Sequence, residues 1–406
     1  MSQPPKKKST LKIPSFTNNH FHSQHNLQKP KMAPVVDQAS LDALSSQVDS
    51  CLAITSQLAT TLGDIYKNPS STFTAATTST STLDAVALSR DASNLAKAQA
   101  TKISLLIINE PFTPSAITTV VRELAAGPVP AIAAAVQACD PALYTNVFRK
   151  EMAWRCQRLL KEIVELVSKI PKNGQVVAEK DRKGFSKQKG SLASTGLLWS
   201  AADDVVKLAN IGVAGYFIQK INTWRDTLQD VLEELKEWSE QEPDAETDRS
   251  EAFSDDDDDD DIDDAQKLVD DLMNSQKTIP EDDPDGIRPR VESTLRRLRL
   301  TLHLYQAISK RRLSKLLQVL PSDTAADSDI PKRLDDASVI LDRLPDNFSD
   351  LATQFYDLDN EGIDSGMSQC FADSSAAGES FSKNWQDETD EFSTWVEKFH
   401  AEMTKE

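Results

Sequence analysis

Reactive and metal-binding side chains are scarce in this sequence, and each shortage removes a class of function. There are five histidines, His20, His22, His25, His303 and His400. Three fall in a polar amino-terminal stretch and read as chance features of it. His303 flanks the apolar face of a long helix, where a phosphotransfer histidine would sit, but helix-flank histidines are ordinarily structural. The four cysteines, Cys51, Cys139, Cys156 and Cys370, are widely spaced in apolar or helical contexts, with no CxxC pair. They read as reduced thiols filling small core positions, which fits a reducing compartment. A Gly-rich phosphate loop, GxSxG and HExxH are all missing. The segment "DLDNEGIDSGMS" (357–368) imitates a calcium loop in its first half, but Ser368 stands where a bidentate glutamate is needed. No cofactor is expected, and no enzyme.

Long apolar runs are missing too. None approaches ~18 residues, so no membrane span is expected. No stretch alternates as a half-buried strand does, and β-branched runs are short. The expected fold class is all-α: antiparallel helical bundles with vinculin- or syntaxin-like packing, in two helical halves joined by an acidic linker.

Charge is plentiful but uneven. The net charge is −19, of which the stretch from Gln241 to Asp264 carries −13. At its centre stand seven consecutive aspartates: Asp255, Asp256, Asp257, Asp258, Asp259, Asp260 and Asp261. Adjacent like charges repel and extend a chain, whereas a metal site needs ligands that converge, so this run reads as a linker. It could also dock a basic partner. The remaining chain is mildly acidic, which leaves direct nucleic-acid binding without an electrostatic footing.

Four regions follow. Residues 1–33 form a basic tail without acids, read as disordered; "PPKKK" within it is a candidate nuclear-import patch, and Met32 a candidate second start. An N-terminal helical bundle spans 34–241, the acidic disordered linker 242–264, and a C-terminal helical region 265–406. Leu41, Leu44, Val48, Cys51, Thr55, Leu58 and Leu62 alternate three- and four-residue steps along a first helix ending near Gly63. A Ser/Thr-rich loop over 68–82 precedes a helix from about Leu83 to Ile108 that Pro111 stops. Thr113 and Pro114 open the next helix, and Gly127 closes it. An Ala-rich turn follows, then a helix from Asp140 and Pro141 to Pro171 whose stripe includes Leu143, Val147, Trp154, Leu160 and Val167. A basic loop leads to two helices, Thr195–Asn210 and Val213–Trp238, with Gly212 as the break. Past the acidic stretch come a short helix, a long Arg/Lys/Leu-rich helix ending at Pro321, and a helix bent or broken at Pro345. One or two final helices are anchored by Phe381, Trp385, Phe392, Trp395 and Phe399.

The order of four elements carries a resemblance. "GLLWSAADDV" is followed after a break by "YFIQKINTWRDTLQDVLEEL", then by the acidic stretch, then by "STLRRLRLTLHLYQ", and finally by "LDDASVILDRLPDNFSDLATQFY". In this order the chain resembles the cyclin-D-binding protein family (GCIP, or maternal Id-like molecules), as a divergent fungal-type member. The resemblance implies a non-enzymatic interaction protein of nucleus and cytoplasm. Its partners would be cyclin-like or helix-loop-helix proteins, and it would restrain cell-cycle progression or transcription. Candidate partner-binding residues are Trp199, Asp203 and Val206 in one segment, and Leu334, Asp335, Asp336, Leu344 and Leu351 in another. A cytoskeletal or membrane-trafficking adaptor on the same kind of bundle is the alternative, and the oligomeric state stays open.

Overall fold

The apolar spacing that begins at Leu41 becomes α1 (Gln38–Lys67), with Leu44, Val48, Cys51, Thr55 and Leu62 on its buried face. A computed structural model describes residues 37–71, 84–185, 188–241, 277–316 and 329–405. The Ser/Thr loop from 72 and the aspartate run lie outside the described residues. The first helix does not stop at Gly63 but runs four residues further. Gly63 serves close approach instead: a side chain there would meet the amide of Gln157, which donates to the Ala59 carbonyl at 3.0 Å.

The following helices obey their start signals. Asp84 caps α2 (Ala85–Ile108), accepting from the Val86 and Ala87 amides at 3.0 Å. Pro114 and Pro128 occupy first-turn positions of α3 (Pro114–Ala126) and α4 (Pro128–Ala138). Pro114–Ala138 is apolar enough in composition to cross a bilayer despite Arg122 and Glu123, but Gly127 divides it. Its Ile117, Val121, Leu124, Val129, Ile132 and Val136 are packed inside the protein.

The helix expected from Asp140 to Pro171 is two. After α5 (Pro141–Tyr144), Thr145 turns the chain at φ 74°, and α6 (Asn146–Ser168) starts afresh. A β-branched residue seldom adopts positive φ. Its hydroxyl accepts from the Phe148 amide at 3.1 Å, which holds the new helix start. Trp154, expected within the buried stripe of α6, is 42% exposed.

Past α7 (Glu179–Lys183), the basic loop holds a two-residue antiparallel pair that alternation could not reveal: β1 (Gly184–Phe185) and β2 (Gln188–Lys189). It is the only ladder among the described residues, so the all-α expectation stands. Next comes α8 (Ser191–Ser239), bent at Gly212, where φ 61° and ψ −168° interrupt the helical backbone at the position expected. The carboxyl-terminal elements are α9 (Ile287–Ile308), α10 (Ile330–Tyr356), α11 (Asn360–Ser380) and α12 (Glu391–Met403). A π-helical turn (Ser309–Leu313) and a last short turn (Ser314–Leu316) continue α9. Because α11 begins at Asn360, the calcium-loop imitation is largely helix.

Residues 36–406 gather into one unit, and α8 is its spine. It packs on α2 and α6 from the chain before it and on α9 and α10 from the chain after it. Two tryptophans of its second limb fasten it there. Trp224 donates to the Asp342 carboxylate at 2.7 Å, and Trp238 to the Lys277 carbonyl at 2.9 Å. The Trp238 ring also stacks edge-on against Tyr356, with centroids 5.4 Å apart.

Pro345 does not end its helix, because another element satisfies the group it orphans. Lacking an N–H, Pro345 leaves the Leu341 carbonyl without its helical donor. The buried Tyr305 hydroxyl, from α9, donates to that carbonyl at 2.7 Å. Arg312 does comparable work at the π-turn. It is 1% exposed, grips both oxygens of Asp390 at 2.7 and 2.9 Å, and donates to the Phe381 and Ser382 carbonyls. Asp390 in turn caps α12 in a reciprocal box with Ser393. Trp385 takes up the Arg312 carbonyl at 2.8 Å.

Two outcomes are expected. Tyr305→Phe strands a buried carbonyl and lowers stability by about 1–3 kcal/mol. Pro345→Ala returns the helical donor, so urea unfolding of the double variant should show the tyrosine mattering much less. Arg312 holds the Asp390 carboxyl well below the usual carboxylate range. Between that low value and the ordinary aspartate pKa of ~3.9, the unfolded chain binds the extra proton, so stability falls as pH falls. The stability gap between the parent and Arg312→Met should therefore narrow in acid, leaving the part due to the Phe381 and Ser382 carbonyls, which Met strands at every pH.

Candidate functional site

One face open to a partner lies where α2 and α8 run antiparallel. Three side-chain bonds cross between them. Lys97 pairs with Asp203 at 2.6 Å, the Trp199 indole N–H donates to Thr101 Oγ1 at 3.1 Å, and Thr195 Oγ1 donates to Ser104 Oγ at 3.0 Å. Steps of three and four residues place Leu192, Gly196, Trp199, Asp203 and Val206 on one side of α8. Leu105 follows Ser104 on α2 and joins the same side.

Three large apolar side chains there are turned outward. Leu105 is 52% exposed, Leu192 45% and Trp199 39%. Between Leu192 and Trp199, Gly196 leaves open space: a Cβ added to it would meet nothing within 4 Å. The result is an apolar ridge with a gap, crossed by one polar pair. The indole is oriented by Thr101 rather than free to swing, so its ring is already held for contact. Exposed apolar patches of this kind mark interaction surfaces, and tryptophan is over-represented among the residues that dominate binding. The half-exposed Lys97–Asp203 pair contributes at most about 1 kcal/mol to stability, but it gives the patch a polar mark that can set orientation.

Of the expected residues, the structure brings Trp199, Asp203 and Val206 together on this ridge. Lys97, Thr101, Leu105 and Leu192 complete it. Leu192 was legible seven residues ahead of Trp199, whereas the contribution of α2 needed the tertiary pairing. The second expected segment is occupied differently. Leu334, Leu344 and Leu351 are at most 1% exposed and belong to the core. Asp336 is exposed, and Val339 beside it is 62% exposed. The seven aspartates from Asp255 to Asp261 fall outside the described residues.

Asp335 caps a helix far from it in sequence. Its carboxylate accepts from the Asn146 amide at 2.8 Å, the Asn146 side chain at 2.9 Å and the Val147 amide at 3.0 Å. These are the donors exposed where Thr145 restarts α6. Burial pushes the Asp335 carboxyl up, while the three bonds pull it down.

A second concavity lies between α1 and α6, an open groove of about 690 Å³ lined by Gly63, Tyr66, Trp154, Gln157, Lys161 and Val164. Lys150 sits over the Tyr66 ring at 5.3 Å. Convergent chemistry is not found in either place. No group of three or more metal-ligating side chains meets among the described residues. All four cysteines are buried; burial pushes the Cys156 and Cys370 thiols up to about 12, and Cys139 and Cys51 are raised also. Such thiols stay protonated at neutral pH and are poor nucleophiles. His303 stands on the solvent side of α9.

Fold and site together define an all-α bundle protein with an exposed tryptophan ridge. Residues 89–241 match the family described as Grap2 and cyclin-D-interacting, N-terminal. The resemblance drawn from the sequence is thus found over that span, which holds both helices of the ridge almost entirely. The chain is also similar to an uncharacterized protein of Schizosaccharomyces pombe, 27% identical over 175 residues. That similarity covers 41% of this chain and 50% of the relative, so the chain spans about half the length of the curated relative it matches. No solved structure matches the chain.

Replacing Asp335 with alanine leaves the Asn146 and Val147 amides unpaired and should cost about 1–3 kcal/mol in urea unfolding. Asparagine keeps one accepting oxygen and should recover part of the loss. Because the folded carboxyl is shifted upward, its contribution at the Asp335 site weakens as pH rises through the carboxylate range. The stability gap between parent and Asp335→Asn should narrow accordingly on going from acid to neutral pH.

Proposed function

We propose that this protein is a non-enzymatic interaction scaffold that captures an amphipathic helix of a cyclin-like or helix-loop-helix partner on the α2–α8 ridge. The carrying observation is the exposed, hydrogen-bonded Trp199 ring beside the open space at Gly196, within the span similar to the cyclin-D-interacting family. A partner helix lays its apolar side along Leu192, Trp199 and Leu105, and one of its side chains enters the gap. The Lys97–Asp203 pair fixes the direction in which that helix lies. Through such capture the protein acts as a regulator of cell-cycle progression and transcription in nucleus and cytoplasm.

Calorimetry of the full-length chain with a D-type cyclin and with a helix-loop-helix protein tests the reading. Trp199→Ala should weaken the complex by about 30-fold or more, matching a loss of about 2 kcal/mol at a dominant contact. Leu105→Ala and Leu192→Ala should weaken it less, and Trp154→Ala in the other groove should leave it unchanged. The reading fails if neither protein binds, or if Trp154 proves to matter and Trp199 does not.

A further inference from the structure

A strongly basic helix stands out in this acidic chain. Between Ile287 and Leu316 there are nine lysines and arginines against the single acid Glu292. Several are spent inside: Arg297 and Arg312 are buried, and Arg290 pairs with Asp364. The rest form a stripe. Steps of three and four residues place Arg296, Arg299 and His303 on one side of α9, and all three are exposed, as are Lys310 and Arg311 in the π-turn and Lys315 just past it. None of these lysines and arginines forms an ion pair with a described carboxylate, although the chain as a whole carries −19.

The acidic stretch is tied to the start of that stripe at both ends. On one side Trp238 closes α8, and its indole donates to the carbonyl of Lys277, the first described residue after the stretch. Lys277 is itself bound to the Tyr356 and Asp357 carbonyls. Glu240 and Ile279, flanking the stretch, line one cleft of about 300 Å³ together with Arg288, Val291, Leu295 and Arg299. The described residues on both sides of 242–276 therefore stand beside the amino-terminal end of α9. They carry sixteen acids and two bases.

We propose that the aspartate run Asp255–Asp261 is the resident occupant of the basic stripe on α9, docked there by charge within the same chain. Reach permits it. Lys310 is about 33 Å along the helix from Arg288, and the fourteen residues from Gln241 to Asp255 extend to about 46 Å. Tethering at both ends holds the aspartates at an effective concentration on the order of millimolar, so weak individual pairs suffice. The docked run neutralises a surface that would otherwise attract other polyanions, and salt releases it.

Carbodiimide coupling of the full-length chain, read by mass spectrometry, tests this directly. Expected are zero-length links from Lys310 or Lys315 to carboxylates within 255–261 at low salt, fading at high salt. A chain with those seven residues changed to asparagine serves as the second arm. A synthetic peptide of residues 242–276 should bind that chain about tenfold or more tighter than it binds the parent, whose stripe is already filled. Changing Arg296, Arg299 and Lys310 to glutamine should abolish the peptide's binding without altering the circular dichroism. Two results would overturn the proposal: equal peptide affinity for both chains, or a DNA duplex binding both equally well, since either means an empty stripe.

Discussion

Burial of α8 on two sides is the constraint from which the rest of the arrangement follows. A 49-residue helix could not be covered by one neighbour, and its apolar positions do not lie in one straight stripe. Gly212 resolves this by re-aiming the helix. The first limb meets α2 through the Lys97–Asp203 pair and α6 through the Arg158–Asp204 pair, and the second meets α10 through the Trp224–Asp342 bond. Only glycine takes the positive φ at that position without strain, so a single backbone choice distributes the spine between its neighbours.

Packing several helices against one spine creates ends and interruptions inside the protein, and each leaves polar backbone groups that water cannot reach. The solutions come from elsewhere in the chain. Asp335 supplies acceptors for α6, Tyr305 a donor for α10, and Arg312 donors for the turn beyond α11. These contacts are directional where apolar burial is not. They fix how the helices register on one another, and they join segments more than thirty residues apart.

A surface left free by this packing is then informative. On the α2–α8 face the side chains that could have been buried by a further helix remain outside, with Trp199 braced rather than loose. The basic stripe of α9 is free in another sense, since its charges lack described counterparts while the missing counter-charge stands in the same sequence. One face offers apolar area and the other charge, so the two suit different occupants.

Much was legible from residue spacing. Period 3.6 gave the helices and the all-α class; Pro114 and the Asp140–Pro141 pair marked starts, and Gly212 marked a break, because these act through the local backbone. Trp199, Asp203 and Val206 could be placed on one face by counting alone. Tertiary structure decided what counting cannot reach. Gly63 looked like a stop but admits the close approach of α6, Pro345 looked like a break but is supported by Tyr305, and Leu334, Leu344 and Leu351 turned inward. The sequence determined which segments are helical and which sides of them are apolar, since both depend on neighbours within a turn or two. Which apolar side is covered, and which orphaned backbone group finds a partner, depends on residues distant in the chain, and only packing brings those together.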